Sequence, residues 1–313
     1  MTERRTDTKI VLIVRRTRLD DLVVRFNTEQ QARFYVEHLG ADFSDYQAEH
    51  RNYRQAVRET EAALAQLGRV QVVDRSFLPN FIFGPGDTVV ALGQDGLVAN
   101  LLKYLDRQPV IGVNPDPARW EGVLLPFTVA DLPRIVPEVF AARRRLREVT
   151  MAQAQLNTGE ILFGVNDLFI GPRSHTSARY AIAFDGRSEQ QSSSGIIVST
   201  GLGSSGWFRS IVTGAAGIAA AWSGQPPAVE TAAGFPWEAD HLYFSVREPW
   251  PSTTSATAIG FGKITRQAPL TLVSQMPEHG VIFSDGIESD YLQFNAGSRA
   301  VIGVADRKGL LVV

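Results

Sequence analysis

Short, nearly unbroken apolar runs constrain this chain more than any other feature. Ile10–Val14 (IVLIV), Thr88–Leu92 (TVVAL) and Pro109–Val113 (PVIGV) read as strands buried on both faces, as in a parallel sheet. Val70–Val73 is a further short run rich in β-branched residues. Helical patterns lie between them. Tyr53, Val57, Ala63, Leu64 and Leu67 recur at helical spacing within Tyr46–Leu67, Gly68 supplies a stop, and Leu97–Leu105 is amphipathic. This alternation predicts an open, mainly parallel α/β sheet.

After Pro126 the texture changes. Val129–Arg145 reads as mostly helical, with Pro133 and Pro137 confining the regular part to its second half. Strand patterns follow at Glu148–Leu156, Glu160–Ile170, Ala178–Phe184, Gly195–Ser199, Leu242–Val246, Leu270–Val273, Gly280–Phe283 and Ala300–Val304. Asn157-Thr158-Gly159 is a hairpin turn, and Trp207–Trp222 is the one helical stretch among them. The expected organisation is an α/β domain over residues 1–128 followed by a β-rich half.

Composition removes whole classes of function. At roughly 150 residues per domain, 313 residues suggest two domains. A net charge of -2 argues against a dedicated nucleic-acid binder, and zero cysteines exclude disulfides, iron–sulfur clusters and thiolate zinc sites. The five histidines are scattered, with no H-E-x-x-H, so no protein-held metal site is expected. The most apolar run, Ile211–Trp222, is broken by Thr213, Gly214 and Gly217 and falls short of the ~20 residues of a membrane span. Glu3 and Asp7 fit neither a secretory signal nor a transit peptide, so a cytoplasmic protein is expected.

Three loops carry chemistry-bearing residues. Gly93-Gln94-Asp95-Gly96 follows a strand and precedes a helix, at the strand end where open α/β sheets place ligands. Asp95 there reads either as a helix N-cap or as a carboxylate that takes a proton from a hydroxyl or holds a metal ion. Asn166-Asp167 interrupts an apolar strand, either as an edge-strand bulge or as a pair hydrogen-bonding ribose hydroxyls. Gly201–Gly206 formally matches G-x-G-x-x-G but lacks the downstream acidic residue, and it has no P-loop lysine. It is either a plain Ser/Gly loop or a set of N–H and hydroxyl donors to a nucleotide. Asn114-Pro115-Asp116-Pro117 is a turn that could also line a site.

In their order along the chain these pieces resemble the NAD kinase family, and its mitochondrial-type branch most of all. GQDGL (Gly93–Leu97) stands where the family carries G-G-D-G-T, and Asn166-Asp167 in FGVNDLFIG is similar to its Asn-Glu motif. SGIIVSTGLGSSGW (Ser194–Trp207), PVIGVNPDP with Trp120-Glu121-Gly122, FSVREP (Phe244–Pro249) and Ser284-Asp285-Gly286 extend the likeness over nearly the whole chain. The resemblance implies a two-domain fold, α/β over 1–128 and β-rich, β-sandwich-like over 129–290, with the segment 291–313 returning to the first domain. It also implies transfer of the γ-phosphoryl of ATP, with Mg²⁺, to the 2′-hydroxyl of the adenosine ribose of NAD. Asp95 would be the general base, and Gly93, Gln94 and Gly96 would surround the phosphates. Asn114 would line the site, and Asn166 and Asp167 would hold the dinucleotide. Ser199, Thr200, Gly201, Gly203, Ser204 and Ser205 would form the nucleotide loop. A homodimer or larger assembly is expected by the same likeness. Gln94 and Leu97 replace a glycine and a threonine of the signature. They keep two alternatives open: a related small-molecule or lipid kinase, or a catalytically weak NAD(H)-binding relative.

Overall fold

The computed structural model describes residues 9–224 and 234–313. The chain folds as two compact units, one holding residues up to Arg147 together with Leu310–Val313, the other Glu148–Gly309.

The first unit begins with β1 (Lys9–Val14), three helices, α1 (Arg18–Phe26), α2 (Glu29–His38) and α3 (Ser44–Ala65), and β2 (Arg69–Asp74). It continues with β3 (Thr88–Leu92), α4 (Asp95–Leu102), β4 (Pro109–Val113) and α5 (Leu132–Phe140). The strands pair in parallel in the order β2-β1-β3-β4. Their apolar runs are buried as the sequence predicts, Ile10–Ile13 and Val89–Leu92 without residual exposure. Leu64 of α3 and Leu132, Ile135 and Val136 of α5 share one core with Leu12, Val90 and Ile111 of the sheet. That packing explains why this unit runs past the expected boundary at residue 128. The helical pattern over Val129–Arg145 resolves into a 3₁₀ turn, Val129–Asp131, and α5. Sequence patterning did not foresee α1 and α2. They start at Thr17 and Thr28, whose side chains accept from the amides of Asp20 and Gln31, and they close a small separate core of Leu19, Ala32, Val36 and Phe43.

The second unit contains β5 (Leu146–Leu156), which starts two residues before it, then β6 (Ile161–Gly164), β7 (Asp167–Pro172), β8 (Ala178–Phe184), β9 (Arg187–Ser193) and β10 (Ile196–Ser199). After α6 (Trp207–Ser223) come β11 (Leu242–Val246), β12 (Phe261–Ile264), β13 (Leu270–Ser274), β14 (Gly280–Ser284), β15 (Ile287–Gln293) and β16 (Arg299–Val312). One antiparallel sheet runs β12-β11-β10-β7-β14-β15. A second array joins β16, β13, β8 and β9, with β5 pairing β16 and β6. Side chains from both, among them Leu168, Ile196, Phe244 and Ile282 on one side and Tyr180, Ile182, Leu272 and Ile302 on the other, form a single core. This is the sandwich expected from the strand-rich half. The chain returns to the first unit only at Leu310, where β16 pairs in parallel with Pro109 and Val110, rather than from residue 291. The intervening β15 is occupied with β14, and the start of β16 with β13.

Ile282 is fully buried in the sandwich core. Truncation to alanine leaves a cavity, so Ile282→Ala is expected to lower unfolding stability by about 2–5 kcal/mol, read by denaturant titration of the sheet signal.

Candidate functional site

In the first unit the strand order reverses between β1 and β3. The chain leaves β1 toward β2 on one side and returns to β3 on the other, which makes their carboxyl ends the switch point where open α/β sheets place ligands. Regular β1–β3 pairing stops at Ile13 opposite Ala91. Just beyond it, the Tyr53 hydroxyl from α3 accepts from the Arg15 amide at 2.8 Å and donates to the Leu92 carbonyl at 2.9 Å. Burial pushes this hydroxyl up to about 12, so it remains a neutral donor at physiological pH.

Gly93 follows, with its amide donating 3.2 Å to the Val113 carbonyl of β4. Gln94 is the N-cap of α4 and makes no side-chain cap bond. Asp95 therefore does not cap its own helix. Its half-buried carboxylate reaches across to the loop after β4, accepting from the Leu124 amide at 2.7 Å and the Val123 amide at 3.3 Å. That loop presses close on β4: a Cβ at Gly112 would lie 2.0 Å from the Leu124 carbonyl oxygen, so only glycine fits. Each Asp95 oxygen still has a lone pair free to accept a further proton or hydrogen bond. Gly96 is exposed, and Leu97, at the signature's threonine position, is buried with its side chain against Gly93.

Asn114 is buried, and its amide is committed locally. It donates to the Trp120 carbonyl at 2.8 Å and accepts from the Asp116 amide at 3.0 Å, which ties down the loop that carries Val123 and Leu124. Just past β1, Arg15 and Arg18 both pair with the buried Glu49.

In the second unit the Asn166-Asp167 interruption marks the place where the chain changes sheets. β6 pairs with β5 in one array, and β7 lies between β10 and β14 in the other. β7 is thus an interior strand, which removes the edge-strand reading. A chain turning this corner has amides with no ladder partner, and Asp285 supplies the acceptor. Its carboxylate takes the amides of Val165 (2.9 Å), Asn166 (2.6 Å) and Asp167 (3.3 Å). The Thr200 hydroxyl donates to the Val165 carbonyl at 2.5 Å, and the Thr200 amide donates to Asn166 O at 3.0 Å. A Cβ at Gly203 would lie 2.0 Å from Asn166 O, so the glycine-rich loop lies directly on this corner. Three segments distant in sequence, 165–167, 199–205 and 284–286, therefore form one hydrogen-bonded knot.

Within the nucleotide loop Ser199, Thr200 and Ser204 are buried, and Ser205 is exposed. Ser199 donates to Thr200 O, and Ser204 donates to Gly201 O while accepting from the Phe235 amide. These hydroxyls shape the loop from inside, with Gly201 packed against Pro236. Beside the knot is a cavity of about 280 Å³ lined by Asp167, Phe169, Arg173, Trp207, Arg247 and Phe283. Phe169 stacks between Trp207 (6.0 Å) and Phe283 (6.2 Å), and the Arg247 guanidinium lies 5.5 Å over Trp207. Burial, and next the negative charge of Asp285, push the Asp167 carboxyl up to about 7.

The sequence-predicted residues thus gather in two places: Gly93, Gln94, Asp95, Gly96 and Asn114 in the first unit, and Asn166, Asp167 and the 199–205 loop in the second. Among the described residues no three potential metal ligands cluster, and no helix is long and apolar enough to cross a membrane. Sequence reasoning missed the parts played by Tyr53, Arg15 and the 123–124 amides. A tyrosine on a helix's buried face looks like any core residue, and backbone amides leave no trace in a sequence. Asp285 was visible only through its Ser-Asp-Gly setting.

No protein-family model matches the chain, and no curated protein does. Among solved structures its fold is similar to that of an NAD kinase from Archaeoglobus fulgidus in complex with ATP, with a TM-score of 0.53 and 14% identity over 98% of this chain and 94% of that one. It is similar also to yeast NADH kinase complexed with NADH, with a TM-score of 0.54 and 13% identity over 99% of this chain and 84% of that one. At such identities the likeness establishes the NAD kinase-like two-domain fold.

Asp167 yields a pH signature. Because its folded pKa is raised from 3.8 to about 7, the folded state keeps a proton that the unfolded chain releases between those values. This group's contribution to stability therefore falls as pH rises from about 4 to 7 and is level above. Asp167→Asn lacks the titration. The variant's melting temperature relative to the native protein is expected to rise across that window and then stay constant, read by thermal scans at fixed ionic strength.

Proposed function

We propose that the chain is an NAD kinase, which transfers the γ-phosphoryl of ATP to the 2′-hydroxyl of the adenosine ribose of NAD with Asp95 as general base. The observation that carries the reading is the Asp95 carboxylate. It sits at the switch point of a parallel sheet, anchored by the Val123 and Leu124 amides rather than by its own helix, with lone pairs left to accept a proton. A carboxylate in such a place is electrostatically suited to an attacking hydroxyl, not to a phosphate. The ordered likeness of the sequence motifs and the shared fold support the same activity.

On this reading the dinucleotide is held by the knot of the second unit. Asn166 and Asp167 meet ribose hydroxyls, and the 199–205 loop presents its backbone. Asp167, protonated up to about pH 7, donates as well as accepts there. Phosphoryl transfer needs alignment and charge neutralisation more than covalent chemistry. Mg²⁺ would come with the donor as the Mg·ATP substrate and would neutralise charge at the phosphates, which leaves Asp95 for the proton. The ribose hydroxyl oxygen attacks the γ-phosphorus as its proton passes to Asp95, the bond to the β-phosphate oxygen breaks, and ADP leaves.

With purified protein, Mg·ATP and NAD, NADP is expected to form, detected by an NADP-dependent dehydrogenase. Asp95→Asn is expected to bind NAD with native affinity and to lose turnover by ~10²–10⁴-fold. A variant with most of its activity intact contradicts the base assignment. NAD binding without any NADP from the native protein favours the weak NAD(H)-binding alternative. Phosphorylation of another alcohol with NAD untouched favours the related kinase.

A further inference from the structure

We infer that Tyr53 is a positioning residue for Asp95, through the pair of hydrogen bonds its hydroxyl makes at the divergence of β1 and β3; the inference rests on the reading of Asp95 as the base. Past Ile13 and Ala91 the two strands no longer pair, which leaves the Arg15 amide and the Leu92 carbonyl without a partner in this ladder. The Tyr53 hydroxyl serves both, accepting at 2.8 Å and donating at 2.9 Å, from a side chain that is 3% exposed. Leu92 immediately precedes Gly93, whose amide is held from the opposite side by the Val113 carbonyl at 3.2 Å. The chain entering the loop is thus gripped on both sides, by Tyr53 and by β4. Two residues later the Asp95 carboxylate is gripped again by the 123–124 amides.

The buried Leu92 carbonyl and the partly buried Arg15 amide have no ladder partner to replace this hydroxyl. They regain partners by letting the strand ends open toward water, and the loop moves with them. Proton abstraction is sensitive to displacements of this size, whereas dinucleotide binding by the second unit's knot involves none of these atoms. Tyrosine is required here for its oxygen. Phenylalanine fills the same space beside Ala56 and Leu92 of the same core and makes neither bond.

The test compares the native protein with Tyr53→Phe and with Leu64→Val, a core change on the same helix that touches none of the loop. Three quantities are read: kcat, KM for NAD, and amide hydrogen exchange of the peptide spanning residues 90–98. Tyr53→Phe is expected to lower kcat at least ~10-fold, to leave KM for NAD within about twofold, and to speed exchange of that peptide ~10-fold. Leu64→Val is expected to lower the melting temperature and leave all three near native. Native kcat in Tyr53→Phe, or an equal loss in Leu64→Val, overturns the inference. Should the native protein form no NADP, the kinase reading falls instead. Exchange then decides the positioning claim alone: faster exchange in Tyr53→Phe upholds it, and unchanged exchange overturns it.

Discussion

Where a strand ladder ends inside a protein, the freed amides must still find acceptors, and in this chain side-chain oxygens provide them at the points that matter. Asp285 gathers three consecutive amides at the corner between sheets. Asp95 gathers two from the loop after β4. The Tyr53 hydroxyl takes the Arg15 amide where β1 and β3 part. Leaving a buried amide without an acceptor costs about 1–3 kcal/mol, less where water can reach it, so these oxygens hold loop conformations at sites that are mostly partly buried. The irregular backbone of both candidate site regions depends on these few groups, while the cores beneath supply the rigid frame.

The same arrangement separates the two carboxylates to which the reading gives chemical roles. Asp95 accepts from two fixed amides of the loop after β4. Asp167 lies beside a second carboxylate, Asp285, whose charge joins burial in raising its pKa, and it keeps its proton up to about pH 7. On the proposed reading the two serve different parts of one reaction, Asp95 as the base and Asp167 as a donor to a sugar hydroxyl. The aromatic rings of Phe169, Trp207 and Phe283 line the same cavity as Asp167.

Much of this was legible in the sequence, for physical reasons that can be named. The buried runs Ile10–Val14, Thr88–Leu92 and Pro109–Val113 announce strands because a two-sided core leaves no room for polar alternation. The polar pair Asn166-Asp167 announced an irregularity, but not its cause, since nothing in the local pattern says that the chain changes sheets there. β9 (RSEQQSS) escaped notice because it is almost wholly polar, and α1 and α2 because their apolar residues serve a small core of their own. The boundary at residue 128 followed composition, whereas α5 packs with the sheet that precedes it. Asp95 could be read from sequence as a cap or as a base. Only the placement of Val123 and Leu124, 28 and 29 residues on, shows what its oxygens hold.

The most direct measurement is the product balance of the purified protein given Mg·ATP and NAD, with ADP and NADP quantified over one time course. The account predicts that the two accumulate one for one and that the new phosphomonoester, by phosphorus NMR, sits on the 2′-carbon of the adenosine ribose. ADP formed without NADP, or a phosphate placed elsewhere, would contradict it.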